Sequence, residues 1–375
     1  MLTSICVVNH DFSLKPVNSK LFSVIYLSMS YTKPQLNLAI IGATGNVGRK
    51  FLEVLDERNF PVGHLKLLAS KKSVHKKLKF KGKEYLVELA TKDSFNDIDL
   101  VLSSAGGAIS KELVPYAVQA GAVVVDNTSA YRMEKDVPLV IAGVNDGDLK
   151  NHRGIIANPN CTTAQLMPPL KALHDLAKLK RVIVSTYQSV SGAGKGAMDE
   201  LLEQTKEHLN KGKYSPKTEN RKFAFNVVPQ IDVFSEGGYT KEEIKVINES
   251  RKILNLPDLK ITCTAARVPV FIGHSESVNV ELEKKVTREE IVKALKEFPD
   301  VVVIDDPEKS KYPMAIDLAG TDPVYVGRIR EDWSNPNTFN LWIVADNLRI
   351  GAALNAVRIA EELVKRNLIK SVVKS

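Results

Sequence analysis

The segment from Leu36 to Leu55 constrains the fold more than any other. Leu36–Gly42 (LNLAIIG) reads as a short apolar strand. It runs into Gly42-Ala43-Thr44-Gly45-Asn46-Val47-Gly48, after which Val47, Phe51, Leu52, Val54 and Leu55 recur at helical spacing. Strand, glycine turn and helix in that order form the context a dinucleotide fingerprint requires. Gly42 permits the tight turn, Gly45 lets backbone approach a pyrophosphate, and Gly48 permits close packing of helix on strand. The spacing is GxxGxxG rather than GxGxxG, and glycine turns also join strands to helices for purely structural reasons.

The stretches that follow supply the context. Leu65–Ala69, Leu100–Ser103 and Ala122–Asp126 read as strands, with a helix over Ser110–Ala120. Strands alternating with helices imply a parallel, doubly wound sheet. The end of the second strand selects the cofactor. An NAD enzyme is expected to carry Asp or Glu there for the ribose hydroxyl. This chain has Ser70-Lys71-Lys72-Ser73-Val74-His75-Lys76-Lys77, hydroxylic and cationic, which suits the 2′-phosphate of NADP. For Lys76 and Lys77 the preferred reading is a solvated basic loop.

Beyond residue 160 the pattern changes to a mixed α+β region. Arg181–Gln188, Lys260–Arg267, Ser275–Glu283, Val301–Ile304 and Thr338–Ala345 read as strands, and Gly196–Leu209, Lys241–Leu254 and Arg288–Glu297 as helices. A last helix, Ile350 to Val364, is expected to dock back on the first domain. The predicted domains are 34–157 with 346–375 for the nucleotide, and 158–345 as a second, mixed α+β domain. Residues 1–33 form an extension. Within it Leu21–Met29 weakly imitates a signal peptide. A start at Met29-Ser30 is the preferred reading, ahead of a disordered extension or a targeting segment.

Composition excludes several classes. A chain of 375 residues supports a large core and two domains. The formal charge of +8 comes without a Lys/Arg block interleaved with aromatics, so small anions fit better than nucleic acid. Cys6, Cys161 and Cys263 are too few for a disulfide framework and point to a reducing compartment. No Cys/His cluster has zinc spacing, so no metal is expected. No apolar run approaches the roughly eighteen residues of a membrane span.

The chemistry centres on Asn158-Pro159-Asn160-Cys161-Thr162-Thr163. Turn-forming residues lead into an apolar helical run at Ala164, Leu166, Met167, Leu170 and Leu173. That places Cys161 at a helix N-terminus, where unpaired N–H groups and the dipole favour a thiolate. A distant histidine is the usual partner of such a thiol. His274 sits in a Gly-His-Ser turn between two strands and can present its ring to a cleft. Arg267, seven residues earlier, is either a clamp on a carboxylate or phosphate or a surface salt bridge. Arg132 follows the C-terminal end of a parallel strand, where ligands bind in such sheets. Glu242 and Lys245 are an ordinary helix pair unless the helix faces the cleft. Cys263 reads as a small buried hydrophobe. Gly192-Ala193-Gly194-Lys195-Gly196 is flexible and lacks P-loop spacing.

With these pieces in place, the chain resembles the aspartate-β-semialdehyde dehydrogenases from about Leu36 to Leu368. The resemblance rests on separated motifs in order: GATGNVG, SSAGG (Ser103–Gly107), DNTSAYRM (Asp126–Met133), NPNCTT, QSVSGAGKGAM (Gln188–Met198), FNVVPQID (Phe225–Asp232), EEIK (Glu242–Lys245), RVPVFIGHSE (Arg267–Glu276) and DNLRIGAALN (Asp346–Asn355). It implies a Rossmann-type NADP-binding domain joined to a catalytic and dimerisation domain of the glyceraldehyde-3-phosphate-dehydrogenase type. It implies NADPH-dependent reduction of L-4-aspartyl phosphate, with phosphate and the semialdehyde as small-molecule partners, in a cytoplasmic homodimer or homotetramer.

The resemblance assigns residues in turn. Cys161 matches the nucleophile, His274 the acid/base and Gln188 the residue that orients substrate. Arg267 matches the substrate carboxylate site, Glu242 the amine site, and Arg132 and Lys245 the phosphate cations. Gly42, Thr44, Gly45, Asn46 and Val47 would carry the nucleotide. Ser70 and Lys72 would face its 2′-phosphate, with Gly106 and Asn347 near the rest. Two positions depart from the family pattern: Lys72 replaces an arginine, and Ile350 replaces a lysine, removing a cation expected near the cofactor side. The competing readings are an N-acetyl-γ-glutamyl-phosphate reductase and a non-catalytic NADP-binding regulator.

Overall fold

The computed structural model describes residues 35–369; the expectations placed on residues 1–33, including Cys6 and Leu21–Met29, lie outside them. The first half carries β1 (Leu36–Ile41), α1 (Asn46–Glu57), β2 (Val62–Ala69), β3 (Lys77–Phe80), β4 (Lys83–Leu89), β5 (Leu100–Ser103), α2 (Gly107–Gln119), β6 (Val123–Asp126) and β7 (Ile155–Ala157). They make one sheet of order β3-β4-β2-β1-β5-β6-β7, parallel except for the β3–β4 pair. β1 is apolar throughout because both faces are covered. Leu38 and Ile40 pack with Phe51 and Leu55 of α1, while Ala39 and Ile41 pack with Leu113 and Val114 of α2. Gly48 is required by the same packing, since a Cβ there would lie 2.7 Å from the Ala43 Cα.

The second half carries α3 (Cys161–Ala177), β8 (Leu179–Gln188), α4 (Lys195–Lys211), α5 (Lys241–Leu254), β9 (Lys260–Arg267), β10 (His274–Leu282), α6 (Arg288–Glu297), β11 (Val301–Val303), α7 (Ala315–Leu318), β12 (Val324–Glu331) and β13 (Thr338–Ala345). These strands form a mixed sheet of order β11-β12-β13-β10-β8-β9. A π-helical turn, Arg349–Ala353, then leads into α8 (Leu354–Lys365), which packs on α1 and β6 of the first sheet. Thr240 and Thr287 each form a capping box, which explains why α5 and α6 begin where the sequence places them.

Several segments differ from the sequence reading. The basic loop expected at Lys76–Lys77 opens into the β3–β4 hairpin, turning on Lys81 and Gly82, both with positive φ (47° and 74°). Two left-handed residues between alternating strands are a hairpin signal. β12, Val-Tyr-Val-Gly-Arg-Ile-Arg-Glu, is a further strand and completes the second sheet. Ile350, where the resemblance leads one to expect a lysine, is 1% exposed and belongs to the apolar core. No described helix is long and apolar enough to cross a membrane.

Candidate active site

Strand order brings the candidate residues together. In a doubly wound sheet, ligands collect at the C-terminal strand ends where the order reverses, here between β1 and β5. A cavity of about 1150 Å³ opens there, lined by Thr44, Gly45, Asn46 and Val47 after β1, Ser104 after β5, and Asn127, Ser129 and Arg132 after β6. The chain beyond β7 delivers Asn160 and Cys161 to the same cavity. The second sheet closes it. Gln188 and Arg267 are register partners at the ends of the parallel strands β8 and β9, and His274 begins antiparallel β10 beside them.

Cys161 is the first residue of α3, partly exposed at the cavity. The Asn160 side chain caps the helix by accepting from the Thr162 and Thr163 amides, while its Nδ2 donates to Glu242 at 2.9 Å. His274 Nε2 lies 3.3 Å from Cys161 Sγ. On the ring's other side, the Ser189 amide donates to Nδ1 at 3.1 Å. The neutral ring therefore carries its proton on Nε2, facing the sulfur. Arg267 donates to the Ser189 carbonyl at 2.8 Å, which ties the arginine to the segment holding His274.

Burial works against the thiolate expected at Cys161. Burial, then Glu242, push the Cys161 thiol up to about 12, against Arg267 and Arg132, which pull it down. A helix N-terminus contributes at most about 2 kcal/mol to an anion, less than removal of a thiolate from water costs here. Burial and the neighbouring Arg267 likewise push His274 down to about 3. Both shifts favour the neutral forms, thiol and imidazole.

Glu242 settles the question of the α5 pair. It is buried, accepts from Gln188 Nε2 at 3.0 Å and Lys245 at 3.1 Å, and lines the cavity with Lys245. Burial opposes its charge, yet Lys245, Gln188 and Asn160 hold its carboxyl below the ordinary range. Asp232 accepts from Lys245 at 2.9 Å. Arg132 is also sunk, with Nε on the Asn158 carbonyl and Nη2 on the Asn127 carbonyl, both at 2.9 Å. The cavity carries Arg49, Lys76, Arg132, Lys195, Lys245 and Arg267 against Asp199, Asp232 and Glu242, a surplus that suits anionic ligands.

The nucleotide end fits a dinucleotide. Gly45 caps α1 without a side chain, leaving the first helical N–H groups open, and Asn46 Nδ2 is buried without a partner. Asn347 also lines the cavity, and its Oδ1 accepts from the Gly273 amide and from Ser191. Gly42 stands in the turn with φ of 83°, and Gly106 is the exposed N-cap of α2. Ser70 and Lys72 are exposed around a short 3-10 turn and do not line the cavity. Ser73 of that turn is hydrogen-bonded at 3.1 Å to Thr44, which lines the cavity. The cations there are Arg49 and Lys76, both missed because helix phase and loop path decide them. Lys77 points to Glu84 instead, and Cys263 is buried in β9. Among the described residues no His/Cys/Asp/Glu group could hold a metal.

Comparison with known proteins agrees with this architecture. The profile described as "Semialdehyde dehydrogenase, NAD binding domain" matches residues 37–152, and "Semialdehyde dehydrogenase, dimerisation domain" matches residues 170–350. Aspartate-semialdehyde dehydrogenase of Aquifex aeolicus (strain VF5) is 53% identical over 337 residues, covering 88% of this chain and 99% of its own length. Among solved structures, aspartate semialdehyde dehydrogenase II of Vibrio cholerae complexed with ASA has a TM-score of 0.85 at 44% identity, covering 88% of this chain and 98% of its own. The Candida albicans enzyme with NADP has a TM-score of 0.69 at 26% identity, covering 89% and 100%. Matching profiles over both halves and majority identity across almost a full-length relative lead to one conclusion: the chain belongs to the aspartate-semialdehyde dehydrogenase family.

Proposed function

We propose that the chain catalyses NADPH-dependent reductive dephosphorylation of L-4-aspartyl phosphate to L-aspartate 4-semialdehyde, in the biosynthesis of lysine, threonine, methionine and isoleucine. The observation that carries this reading is a single cavity lined both by the Cys161 thiol and by the Gly45–Val47 turn, so a nucleophile and a nucleotide site share one space. Arg267 binds the substrate carboxylate, Glu242 its ammonium, and Arg132 with Lys245 the phosphate; Gln188, held on Glu242, orients the acyl group. Such fixing supplies the proximity term.

Cys161 sulfur attacks the acyl carbon, forming a thioester as the C–O bond to phosphate breaks. The thiol proton leaves with the phosphate. NADPH supplies a hydride when bound. The resulting thiohemiacetal collapses, and His274 Nε2–H stabilises the departing sulfur before a solvent proton restores the thiol.

The division falls at 157/158 and 345/346, with the first and last parts binding NADP. A homodimer or homotetramer in the cytoplasm completes the proposal. The apolar outer side of the second sheet, where Tyr187, Phe271, Met314 and Ile316 are exposed, supports association through that half. The test is to follow NADP reduction with aspartate semialdehyde and phosphate. Activity is expected in the native chain and lost in Cys161→Ser, while Cys263→Ser retains it. Turnover of N-acetyl-γ-glutamyl phosphate instead would replace this reading, and Glu242, an amine partner, argues against that substrate.

A further inference from the structure

Helix α5 has an unusual face. Glu242, Lys245, Glu249 and Lys252 follow one another at intervals of three, four and three, so all four share one side of the helix. A surface helix normally turns such a side to water, yet Glu242 and Glu249 are only 6% and 1% exposed. Glu242 and Lys245 line the cavity; Glu249 and Lys252 lie outside its lining. Glu249 Oε1 accepts from Arg132 Nη1 at 3.0 Å, and Oε2 accepts from the Asn160 amide at 2.6 Å. Lys252 Nζ donates to the carbonyls of Arg132, Glu134 and Val137, each at 2.8 Å.

We propose that Glu249 is a positioning residue that couples the phosphate arginine to the nucleophile: one buried carboxylate aims the Arg132 guanidinium and holds the peptide entering Cys161. Lys252 completes the mount by gathering the carbonyls of the turn that carries Arg132. The inference rests on the assignment of Arg132 to phosphate made above.

Donor counting supports it. A guanidinium has five N–H groups. Three are taken, by Asn158, Asn127 and Glu249, so one on each terminal nitrogen remains for an oxyanion. With three partners the arginine does not search rotamers when phosphate arrives. Each Glu249 oxygen serves a different element, and only a side chain with two acceptor oxygens can do both. Glutamine has one acceptor and would turn its NH₂ toward a donor. Aspartate keeps both acceptors but is one methylene too short to span them from the same helical position. A plain counter-charge makes the opposite prediction: removing it would leave Arg132 more positive and tighten phosphate.

The experiment uses the full chain and inorganic phosphate. Phosphate affinity is read without turnover, as protection of Cys161 from iodoacetamide in the presence of NADP, and with turnover as the phosphate KM. Loss of a hydrogen bond to a charged partner predicts that Glu249→Gln raises both phosphate constants about tenfold or more, with NADP affinity unchanged. Glu249→Asp is expected to shift them in the same direction. Phosphate constants that stay level or fall overturn the inference. So does failure of both variants to fold or to bind NADP, which would make Glu249 part of the general framework. Native protein protected by phosphate but inactive with the semialdehyde would overturn the proposed function and leave the coupling intact.

Discussion

Cys161 shows how far a residue's chemistry depends on its burial. A helix N-terminus and two arginines favour its anion, but burial and Glu242 outweigh them, pushing the thiol up to about 12. Reactivity follows the thiolate, so the sign is fixed: alkylation of Cys161 in the unliganded protein rises about tenfold per pH unit from pH 7 to 10 without a plateau. Measuring iodoacetamide rates by mass of the labelled peptide checks this. A plateau below pH 8 would show a resting thiolate. The raised value also fits a thiol committed to one partner, because a neutral sulfur resists adventitious oxidation more than a thiolate does. Glu249 belongs to the same scale. Nothing in Asn248-Glu249-Ser250 distinguishes it from a surface glutamate, and only its two buried donors reveal its place.

At the scale of elements, the π-helical turn Arg349–Ala353 is the piece nearest the nucleophile. Gly351 has no side chain because Cys161 fills the space: a Cβ there would lie 2.8 Å from the Cys161 Cβ and 3.1 Å from its Cα. Gly351→Ala would therefore press on the nucleophile. Overpacking of this kind costs about 1–3 kcal/mol, and the larger effect is expected in kcat, since displacement of the sulfur by a fraction of an ångström disturbs attack. Steady-state kinetics beside a denaturant melt would separate the two; unchanged kcat would show that the turn yields. The turn itself is anchored by Asp346, whose Oδ1 accepts from the Leu348 and Arg349 amides and whose Oδ2 accepts from Gly320. Asn347, beside it, bonds to the segment behind His274. One short motif thus touches the thiol on one side and the histidine's supports on the other.

Across the whole molecule, Arg349 joins the halves. It is 6% exposed and pairs with Glu57 at the end of α1 and with Asp322 beyond α7. Despite burial, those two carboxylates hold its guanidinium above the ordinary range. Arg349→Met is expected to cost about 1 kcal/mol by removing ion pairs to two solvent-accessible carboxylates, seen as a lower midpoint in urea. An unchanged midpoint would show that these ion pairs do not hold the halves. Much of this architecture was legible beforehand. The apolar run of Leu36–Ile41, the glycine turn and the helix starts at Lys241 and Arg288 are decided by local sterics and nearby hydrogen bonds, which the chain carries wherever it folds. The same holds for a cysteine opening a helix. Other features were decided only in three dimensions. Helix phase and loop path put Arg49 and Lys76 in the cavity lining, which does not include Ser70 and Lys72. The packing of α5 turned Glu249 inward, and the covering of the site made the thiol neutral. Each depends on what lies across the fold from a residue, and desolvation and long-range pairing leave no trace in the residues next to it.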